Sequence, residues 1–438
     1  MNYVIVGNSA GGIAAIEAIR ECDKKGRITV ISEESGPCAR EPGSYSKPLI
    51  SYLLGGKTGI DEICYRGKDF YEKNEVEIIL NKRVTKLNTD NKEVTLKGNR
   101  KIHFDKLLIA AGGVPIAPDI KGADSKGVFT FTGLDDARNI QDYIKAEKVK
   151  KAIVIGGGLI GLKAVEALME LNIKVVIIEL ADRILSSTFD KKASGIIQEA
   201  LKKNGCELRT NNTVVEIKLQ KQGIKCAILK DKEEIQCEMV IVAIGVIPNV
   251  ELVKNTAVKV NRGILVDTFM QTNVKDIYAA GDCCEAKDLL LGIKRPVAIW
   301  PVAVREGKTA GCNMAGVKKE YQGSLAMNSV ELCGIPTVSA GETNSEGKEY
   351  QILEFLEQKE FRHSNQHAVY KKIVLKNDRI VGVIFVGSIE RAGIYIGLIK
   401  DKVDTTSFRE SLLRDDFGLI CLPRDYRKHL VVGEHAII

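Results

Sequence analysis

The chain has 438 residues, enough for two or three domains that each bury their own core. With 45% hydrophobic and 28% charged residues, and no apolar run near the roughly 18 residues needed to span a bilayer, the sequence predicts a globular protein without a membrane span. The net charge of +7 favours phosphate-bearing cofactors or an acidic protein partner, or simply gives a mildly basic surface, and no cluster of basic and aromatic residues indicates nucleic acid.

A strand-like run begins almost at the N-terminus, at Tyr3, and ends at Gly7. No basic region or cleavage site precedes it, so we expect a cytoplasmic protein. Gly7 and Gly12 hold the first and last positions of a G-x-G-x-x-G spacing, and Ser9 takes the middle one. In such a strand, turn and helix, the backbone can approach a pyrophosphate and the helix N-terminus stabilises its charge. The predicted dinucleotide contacts here are Gly7, Ser9, Ala10, Gly11 and Gly12.

The next strand ends in two carboxylates, Glu33 and Glu34, and either can accept hydrogen bonds from the hydroxyls of an adenosine ribose. A turn into a short helix follows, with the residues Ser44 to Pro48 at its start. This run resembles the flavin-side loop of the rubredoxin-reductase and nitrite-reductase-like branch of the FAD-dependent pyridine nucleotide:disulfide oxidoreductase superfamily. The resemblance implies FAD as the first dinucleotide and places Lys47 and Pro48 near the reactive edge of the isoalloxazine, although a loop lysine can also simply be solvated.

Cysteines are missing where related enzymes use them. Disulfide reductases of the superfamily carry a redox C-x4-C near this loop, and their NADH oxidase, peroxidase and coenzyme A disulfide reductase relatives carry a single cysteine. Residues 39–63 contain none, and neither Cys38 nor Cys64 occupies the family's position. We therefore predict no thiol chemistry on the flavin. The adjacent Cys283 and Cys284 are expected to be ordinary small residues, because vicinal disulfides are strained.

The next motif, Ala111 and Gly112, resembles the Ala-Thr-Gly segment that closes the first half of the FAD domain, with Ala111 in the threonine position. A helical run from about Leu134 to Ala146 follows. Further along, Gly245 belongs to a segment that resembles the family's Gly-x-x-Pro-Asn at the NAD-side crossover.

A complete copy of the nucleotide-binding spacing lies between these segments, where a strand ends at Gly156. Glu179, 23 residues later, ends the next strand. An acid there binds ribose hydroxyls and repels a 2′-phosphate, so it favours NAD over NADP. Arg183 leaves NADP as the alternative. The predicted NAD contacts are Gly156, Gly158, Leu159, Ile160, Gly161, Glu179 and Gly245. Two such copies predict two dinucleotides, one donor and one acceptor of hydride.

The chain then returns to flavin-type motifs. The run from Thr272 to Asp282 resembles the family's second FAD fingerprint, in which the aspartate accepts a hydrogen bond from the ribitol chain. This implies roles for Gly281 and Asp282, although a Gly-Asp pair after a strand is also a common turn.

A helix that starts near Trp300 carries Pro301 in its first turn, where proline is favoured. In the family the positive N-terminus of this helix faces the flavin, which implies contacts from Pro301 and Ala303. Trp300 is either a core aromatic or an isoalloxazine contact. Glu306 stands where the family has glutamine, and we expect this departure to make the flavin harder to reduce.

The last segment begins near Ser324 and reads as strands, a hairpin turn and a helix. The predicted elements are strands at 350–355, 368–375 and 380–386, a turn at Asn377 and Asp378, and a helix over 388–400. It resembles the small C-terminal domain of the rubredoxin-reductase-like group, which docks a partner or a second subunit. His363 and His367 have i,i+4 spacing without an evident third ligand, so no metal site is predicted.

The sequence therefore predicts an α/β fold with two Rossmann-like dinucleotide-binding domains and a C-terminal α+β domain, with the NAD domain inserted into a discontinuous FAD domain. The predicted boundaries are 1–116 and 245–322 for the FAD domain, 117–244 for the NAD domain and 323–438 for the docking or dimerisation domain.

The resemblance implies an FAD-dependent NAD(P)H:acceptor oxidoreductase that moves hydride between NADH and FAD, with Lys47 as the catalytic side chain. Its electrons would pass to or from an iron-sulfur protein or rubredoxin, as a homodimer or as the NAD-reactive subunit of a larger complex. Two alternatives stay open. The first is an NADH oxidase or peroxidase, or a coenzyme A disulfide reductase, and the second is a non-catalytic flavoprotein that docks a partner or senses redox state.

Overall fold

The computed structural model describes residues 1–37, 43–220, 223–357 and 368–427. Internal contacts divide the chain into two compact units, one formed by Met1–Leu180 with Cys206–Ser324 and the other by Ala181–Gly205 with the chain from Leu325 onward. Within the described part, no helix has the length and apolar character needed to cross a membrane. The C-terminal segment thus packs with a piece taken from the middle of the chain.

The N-terminal segment of the first unit opens with the predicted strand, turn and helix. Its strands are β1 (Asn2–Val6), β2 (Arg27–Ile31), β3 (Ser44–Tyr45), β4 (Cys64–Arg66), β5 (Val76–Ile79), β6 (Val84–Asn88), β7 (Glu93–Leu96), β8 (Lys101–His103), β9 (Lys106–Ile109) and β10 (Gly113–Pro115). Its helices are α1 (Ala10–Cys22), α2 (Ile50–Leu54) and α3 (Lys68–Lys73), with a 3-10 turn at Lys47–Leu49. Strands β1, β2 and β9 are nearly continuous runs of buried apolar residues, as is typical of parallel strands covered on both faces.

The middle segment builds a second parallel sheet. Its strands are β11 (Val128–Thr130), β12 (Lys151–Ile155), β13 (Lys174–Ile178), β14 (Glu207–Arg209), β15 (Val214–Gln220), β16 (Gly223–Leu229), β17 (Glu234–Gln236), β18 (Met239–Val242) and β19 (Val246–Pro248). Its helices are α4 (Leu134–Glu147), which confirms the predicted helix, α5 (Leu159–Glu170) and α6 (Lys191–Lys203). The parallel sheet has the order β11-β18-β12-β13-β14, and β15, β16 and β17 form a separate antiparallel sheet.

The chain then returns to the first sheet, as the sequence predicts. This segment contains β20 (Ile264–Leu265), β21 (Ile277–Ala279), β22 (Cys284–Lys287), β23 (Lys294–Arg295) and α7 (Trp300–Met314). β21 pairs in parallel with β9 and completes the order β21-β9-β1-β2-β5. The chain leaves and re-enters through a two-stranded ribbon, in which β10 pairs antiparallel with β19. A discontinuous Rossmann-like unit with a second one inserted is therefore the observed architecture.

The C-terminal segment forms an antiparallel sheet in the second unit. It contains β24 (Met327–Leu332), β25 (Ile335–Gly341), β26 (Tyr350–Glu357), β27 (Val369–Lys376), β28 (Arg379–Val386) and α8 (Ala392–Lys400), with the sheet order β24-β25-β28-β27-β26. Asn377 and Asp378 join β27 to β28 with φ of 49° and 59°, so the predicted hairpin turn is confirmed. The helix predicted from residue 388 begins only at Ala392, because Arg391 before it adopts a left-handed φ of 64°.

Helix α6 belongs to this second unit by its internal contacts, a grouping the sequence did not predict. Asp190 caps α6 by accepting a hydrogen bond from the Ala193 amide at 3.0 Å. The same carboxylate accepts a hydrogen bond from Tyr370 at 2.6 Å and pairs with Lys372 at 3.1 Å. These contacts join elements far apart in sequence. The predicted boundaries instead placed α6 in the NAD domain, with its neighbours along the chain.

Candidate cofactor-binding site

The predicted FAD residues lie at one edge of the first sheet. Gly7 follows β1, Glu33 and Glu34 follow β2, Ala111 follows β9, and Gly281 follows β21. These strands are parallel, so their carboxyl ends share one edge, which is where ligands bind in open α/β sheets. The fold therefore brings together motifs that are up to 274 positions apart in the sequence.

The first glycine turn is held closed by backbone contacts. Gly7 has a φ of +120°, and a Cβ there would lie 2.0 Å from the carbonyl oxygen of Ala110. A Cβ on Gly12 would lie 2.1 Å from the carbonyl oxygen of Gly7. Side chains are thus excluded at both positions, and α1 starts directly against the turn.

The N-terminus of α1 is suited to bind an anion. Ser9 is the N-cap residue, and its side chain makes no capping hydrogen bond. Ala10, Gly11 and Gly12 form the first turn, which contains no acidic residue. The first amides of a helix lack intrahelical partners and carry the positive end of the dipole, so this turn fits a pyrophosphate.

Helix α7 meets α1 at the same edge. It starts at Trp300 with Pro301 in its first turn, as predicted. A Cβ on Gly281 would lie 3.5 Å from the Cβ of Ala303, and one on Gly11 would lie 3.4 Å from the Ala303 carbonyl oxygen. The Trp300 ring makes an edge contact with Tyr65 at 5.1 Å, so it has an aromatic packing partner within the protein.

A network that the sequence analysis missed ties the Lys47 loop to the first glycine turn. The Ser44 hydroxyl donates to the backbone carbonyl of Asn8 at 2.7 Å. The side-chain amide of Asn8 donates to the backbone carbonyl of Gly43 at 3.1 Å. Tyr71 donates to the side-chain oxygen of Asn8 at 2.8 Å. One feature of the sequence could have indicated this network. Asn8 is a polar residue at a position that the glycine spacing leaves unspecified.

Lys47 itself lies among carboxylates. Its ammonium is 2.8 Å from Glu34, and both side chains are partly exposed. Burial raises the pKa of Asp282, and the charge of Lys47 counteracts this shift. Glu33, in contrast, is 64% exposed and lies 3.6 Å from Arg83. Of the two acids that the sequence left open, Glu34 is the one facing the loop.

Glu306 is a buried carboxyl beneath the second FAD motif. It is 2% exposed and accepts a hydrogen bond from the Gly281 amide at 2.8 Å. Cys284 donates to the same oxygen at 3.2 Å. Burial raises the pKa of Glu306 to about 7. The sequence marked this residue only as a departure from glutamine, and the structure gives it direct contact with the backbone of Gly281.

The cysteines near this edge differ in access. Cys283 and Cys284 are buried, and burial raises the pKa of Cys283 to about 12 and that of Cys284 well above its ordinary value. Cys64 is exposed and lies opposite Tyr45 in the β3–β4 pair. Cys38, like His363 and His367, lies outside the described residues. No group of three or more metal-ligating side chains occurs in the part of the chain that the structure describes.

The three glycines of the second glycine turn have different surroundings. A Cβ on Gly156, where φ is +108°, would lie 2.4 Å from the Ala243 carbonyl oxygen, and one on Gly161 would lie 2.0 Å from the Gly156 carbonyl oxygen. A Cβ on Gly158 would meet nothing within 4 Å. Protein packing thus requires the first and third glycines, while the open space at Gly158 fits close approach by a pyrophosphate.

The remaining predicted NAD residues surround this turn. Leu159 and Ile160 start α5, and Gly245, with a φ of +113°, leads into β19. Glu179 follows β13 and accepts a hydrogen bond from the Gly157 amide at 2.5 Å, so its carboxylate lies at the turn. Arg183, the alternative for NADP, contacts Asp182 and nearby backbone carbonyls.

A family model described as "Pyridine nucleotide-disulphide oxidoreductase" matches residues 1–307, more than half of the chain. The chain belongs to this family. A second model, described as "Rubredoxin NAD+ reductase C-terminal domain", matches residues 327–403. Members of the pyridine nucleotide-disulphide oxidoreductase family bind FAD and NAD(P)H.

Relatives within the family differ in name and length. The chain is 32% identical over 403 residues to a nitrite reductase [NAD(P)H] of Bacillus subtilis, a match that covers 92% of this chain but 47% of that protein. It is 30% identical to the NADH-dependent phenylglyoxylate dehydrogenase subunit epsilon of Aromatoleum evansii, with 95% of this chain and 96% of the relative covered. The solved structure of an NAD-dependent persulfide reductase from A. fulgidus superposes with a TM-score of 0.85 at 25% identity, covering 94% of this chain and 79% of that one.

Proposed function

We propose that this chain is an FAD-dependent NADH:acceptor oxidoreductase that moves hydride between NADH and FAD and electrons between FAD and an iron-sulfur or rubredoxin-type protein. The observation that carries the proposal is the pair of glycine turns, each at the carboxyl edge of its own parallel sheet within one compact unit. The domain boundaries proposed are those predicted from the sequence, with the β10–β19 ribbon as the crossover.

Each turn has a set of proposed contacts. For NAD these are Gly156, Gly158, Leu159, Ile160, Gly161, Glu179 and Gly245. For FAD they are Gly7, Ser9, Ala10, Gly11, Gly12, Glu33 or Glu34, Lys47, Pro48, Ala111, Gly112, Gly281, Asp282, Pro301 and Ala303. The bound FAD supplies the redox chemistry, and the side chains position it and set its electrostatic environment.

Lys47 is the proposed catalytic side chain. Its ammonium is 2.8 Å from Glu34, its charge lowers the raised pKa of Asp282, and its loop is held by Asn8. A cation held in this place stabilises negative charge that develops on a neighbouring group. The α7 N-terminus, beside Gly281, adds a second positive field at the same edge.

The lack of an accessible thiol relay at Cys283, Cys284 and residues 39–63 favours an external one-electron acceptor or donor. The buried Cys283 and Cys284 offer no accessible relay, and residues 39–63 contain no cysteine. The matched C-terminal model carries the name of rubredoxin reductase, and a relative of nearly equal length is named as a dehydrogenase subunit. Both names support a protein redox partner, and the second supports a place in a larger complex.

A second candidate function rests on Cys64. This thiol is exposed and lies opposite Tyr45, two residues before Lys47. A thiol that reached the flavin would make the chain a thiol-dependent reductase, and the structural relative from A. fulgidus is named as a persulfide reductase. This candidate includes the NADH oxidase, peroxidase and coenzyme A disulfide reductase alternatives.

An anaerobic titration of the purified holoprotein with NADH, followed at the flavin absorbance band, tests the proposal. We expect saturation at about one equivalent of NADH per flavin, because flavin would be the sole redox centre. Uptake of about two equivalents with a long-wavelength thiolate-to-flavin band would contradict this and favour the thiol-dependent candidate. The Cys64→Ser variant is the matched control, since it should return that uptake to one equivalent only if Cys64 is the thiol involved.

Turnover with a partner separates the enzyme from a non-catalytic flavoprotein. Catalytic reduction of a rubredoxin or ferredoxin by NADH is the expected result. A chain that binds FAD and NADH but transfers no electrons to any one-electron acceptor would instead be a docking or redox-sensing subunit.

A further inference from the structure

Helices α1 and α7 pack with their backbones in contact. A Cβ on Gly307 would lie 2.1 Å from the Gly11 carbonyl oxygen, and one on Gly311 would lie 2.6 Å from the Ala15 carbonyl oxygen. The helices run in the same direction, since contacts advance by four residues along both. Their C-terminal ends therefore remain close, and each carries a cysteine there.

The two cysteines are neighbours at these helix ends. Cys22 is the last residue of α1, and Cys312 lies in the last turn of α7. Cys22 and Met314, from the ends of the two helices, line one cavity, and burial followed by the neighbouring Cys22 thiol raises the pKa of Cys312. Cys22 is exposed, whereas Cys312 is 6% exposed. One thiol is thus open to solvent, and its neighbour is sheltered directly behind it.

The exposed thiol opens onto a basic cavity. The cavity has a volume of about 570 Å³, and its lining includes Cys22, Lys24 and Lys25, the carboxylate of Asp23, and Lys106, whose ammonium is paired with Asp276. Reactive cysteines occur in exposed, electropositive surroundings of this kind, often with a resolving cysteine adjacent.

We propose that Cys22 and Cys312 form a reversible oxidation site, a dithiol that hydrogen peroxide converts to a disulfide. The Cys22 sulfur attacks one peroxide oxygen, so that an S–O bond forms, the O–O bond breaks and one water leaves. The Cys312 sulfur then attacks the Cys22 sulfur, so that an S–S bond forms, the S–O bond breaks and a second water leaves. The two thiols lose two electrons and two protons in total, and one peroxide is reduced to two waters.

The disulfide would link the C-terminal ends of two helices whose N-terminal ends carry proposed FAD contacts. It would close a loop of about 290 residues, which restricts the unfolded chain and raises its free energy. We expect the oxidised protein to unfold at a temperature several degrees higher than the reduced protein. This inference does not depend on the proposed electron acceptor.

The test treats the folded holoprotein with a small excess of hydrogen peroxide and maps its peptides by mass spectrometry without reduction. We expect a cross-link between the peptides containing Cys22 and Cys312, a loss of two titratable thiols, and reversal by dithiothreitol. Cys312→Ala should stop at a Cys22 sulfenic acid that dimedone traps. Cys64→Ser, which removes another exposed cysteine of the described chain, should form the cross-link at the same rate.

Three results would overturn the proposal. These are oxidation of other cysteines without the Cys22–Cys312 cross-link, a cross-link that forms only after the protein is unfolded, and equal dimedone labelling of Cys22 in the wild type and in Cys312→Ala. The first readout uses the wild-type chain, so it can refute the proposal even if a variant fails to fold.

Discussion

Glu179, beside Gly158, is the residue on which we propose that the nucleotide preference depends. Gly158 has open space where a Cβ would be, and the Glu179 carboxylate lies beside it through its contact with the Gly157 amide. A carboxylate at this place accepts hydrogen bonds from ribose hydroxyls and repels a 2′-phosphate. In the proposed NAD site, the choice between NADH and NADPH therefore rests mainly on the Glu179 side chain.

Glu179→Ala should weaken NADH much more than NADPH. We expect the KM for NADH to rise at least tenfold, roughly the effect of 1.4 kcal/mol, while the KM for NADPH changes little or falls. Steady-state kinetics with both nucleotides and one fixed acceptor measures the two values. Equal losses for both nucleotides would contradict the assignment.

Glu306 should lower the free energy of unfolding as pH rises, whereas an ordinary ion-paired acid raises it. Burial raises its folded-state pKa to about 7 from 4.5, so the folded chain holds this proton more tightly than the unfolded chain does. The resulting stability is complete below the unfolded pKa and is lost as pH rises through about 7.

Glu306→Gln, which is neutral at every pH and keeps an acceptor for the Gly281 amide, removes this loss. We expect the wild type to weaken relative to the variant by about 2.5 kcal/mol between about pH 5 and pH 8, as measured by denaturant unfolding. The flavin of the variant should also become easier to reduce at the higher pH. A constant difference across this range would show that Glu306 does not titrate there.

At the scale of elements, α1 and α7 meet at the edge of the first sheet where we propose that FAD binds. Their N-termini meet through Gly11, Ala303 and Gly307, so both positive helix ends face the same region. This approach requires Gly307, because a Cβ there would lie 2.1 Å from the Gly11 carbonyl oxygen.

Gly307→Ala should force these helices apart. A Cβ at this position would lie 2.1 Å from the Gly11 carbonyl oxygen, and a backbone atom has little freedom to move. We expect a loss of about 1–3 kcal/mol, as for overpacked cores, together with weaker FAD retention measured by flavin fluorescence. Gly195→Ala, in α6 with nothing within 4 Å, is the matched control and should stabilise by about 0.5–1 kcal/mol.

Asp190 should be the most sensitive position of α6. Burial disfavours its charge, but hydrogen bonds from Tyr370, the Ala193 amide and Lys372 outweigh burial and lower the pKa of Asp190. Its contribution to stability is therefore present above the unfolded pKa and is lost as pH falls through the lower folded value.

Asp190→Ala leaves the buried Lys372 without this partner, so we expect a loss of about 3–5 kcal/mol in the free energy of unfolding at neutral pH. Asp190→Asn keeps the helix cap and should lose less. Lys254→Ala breaks an exposed pair with Glu251 and should change the free energy of unfolding very little. Similar losses in all three variants would refute a special role for this contact.

For the whole molecule, the net charge of +7 bears on partner choice. If the physiological partner is an acidic one-electron carrier, long-range attraction should speed encounter at low ionic strength. We expect its rate of reduction to fall several-fold as salt is raised, while reduction of an uncharged small quinone stays nearly constant. Stopped-flow kinetics at a series of salt concentrations gives both rates, and parallel salt dependence would argue against electrostatic docking.

The sequence alone determined the family resemblance, the two glycine turns and the fold class, because strand, turn and helix signals are local in the chain. The spacing from Gly7 to Gly12 and from Gly156 to Gly161 already encodes contacts within a few residues. The hairpin turn at Asn377 and Asp378 was likewise readable, since both residues tolerate a left-handed backbone.

Only the tertiary structure decided which distant groups meet. The Asn8 network, the burial of Glu306 against Gly281, and the proximity of Cys22 to Cys312 each bring together residues from separate elements. The same is true of α6, whose cap residue contacts the C-terminal sheet through Tyr370. Burial and long-range contact arise from packing of whole elements, and no local pattern of residue types specifies them.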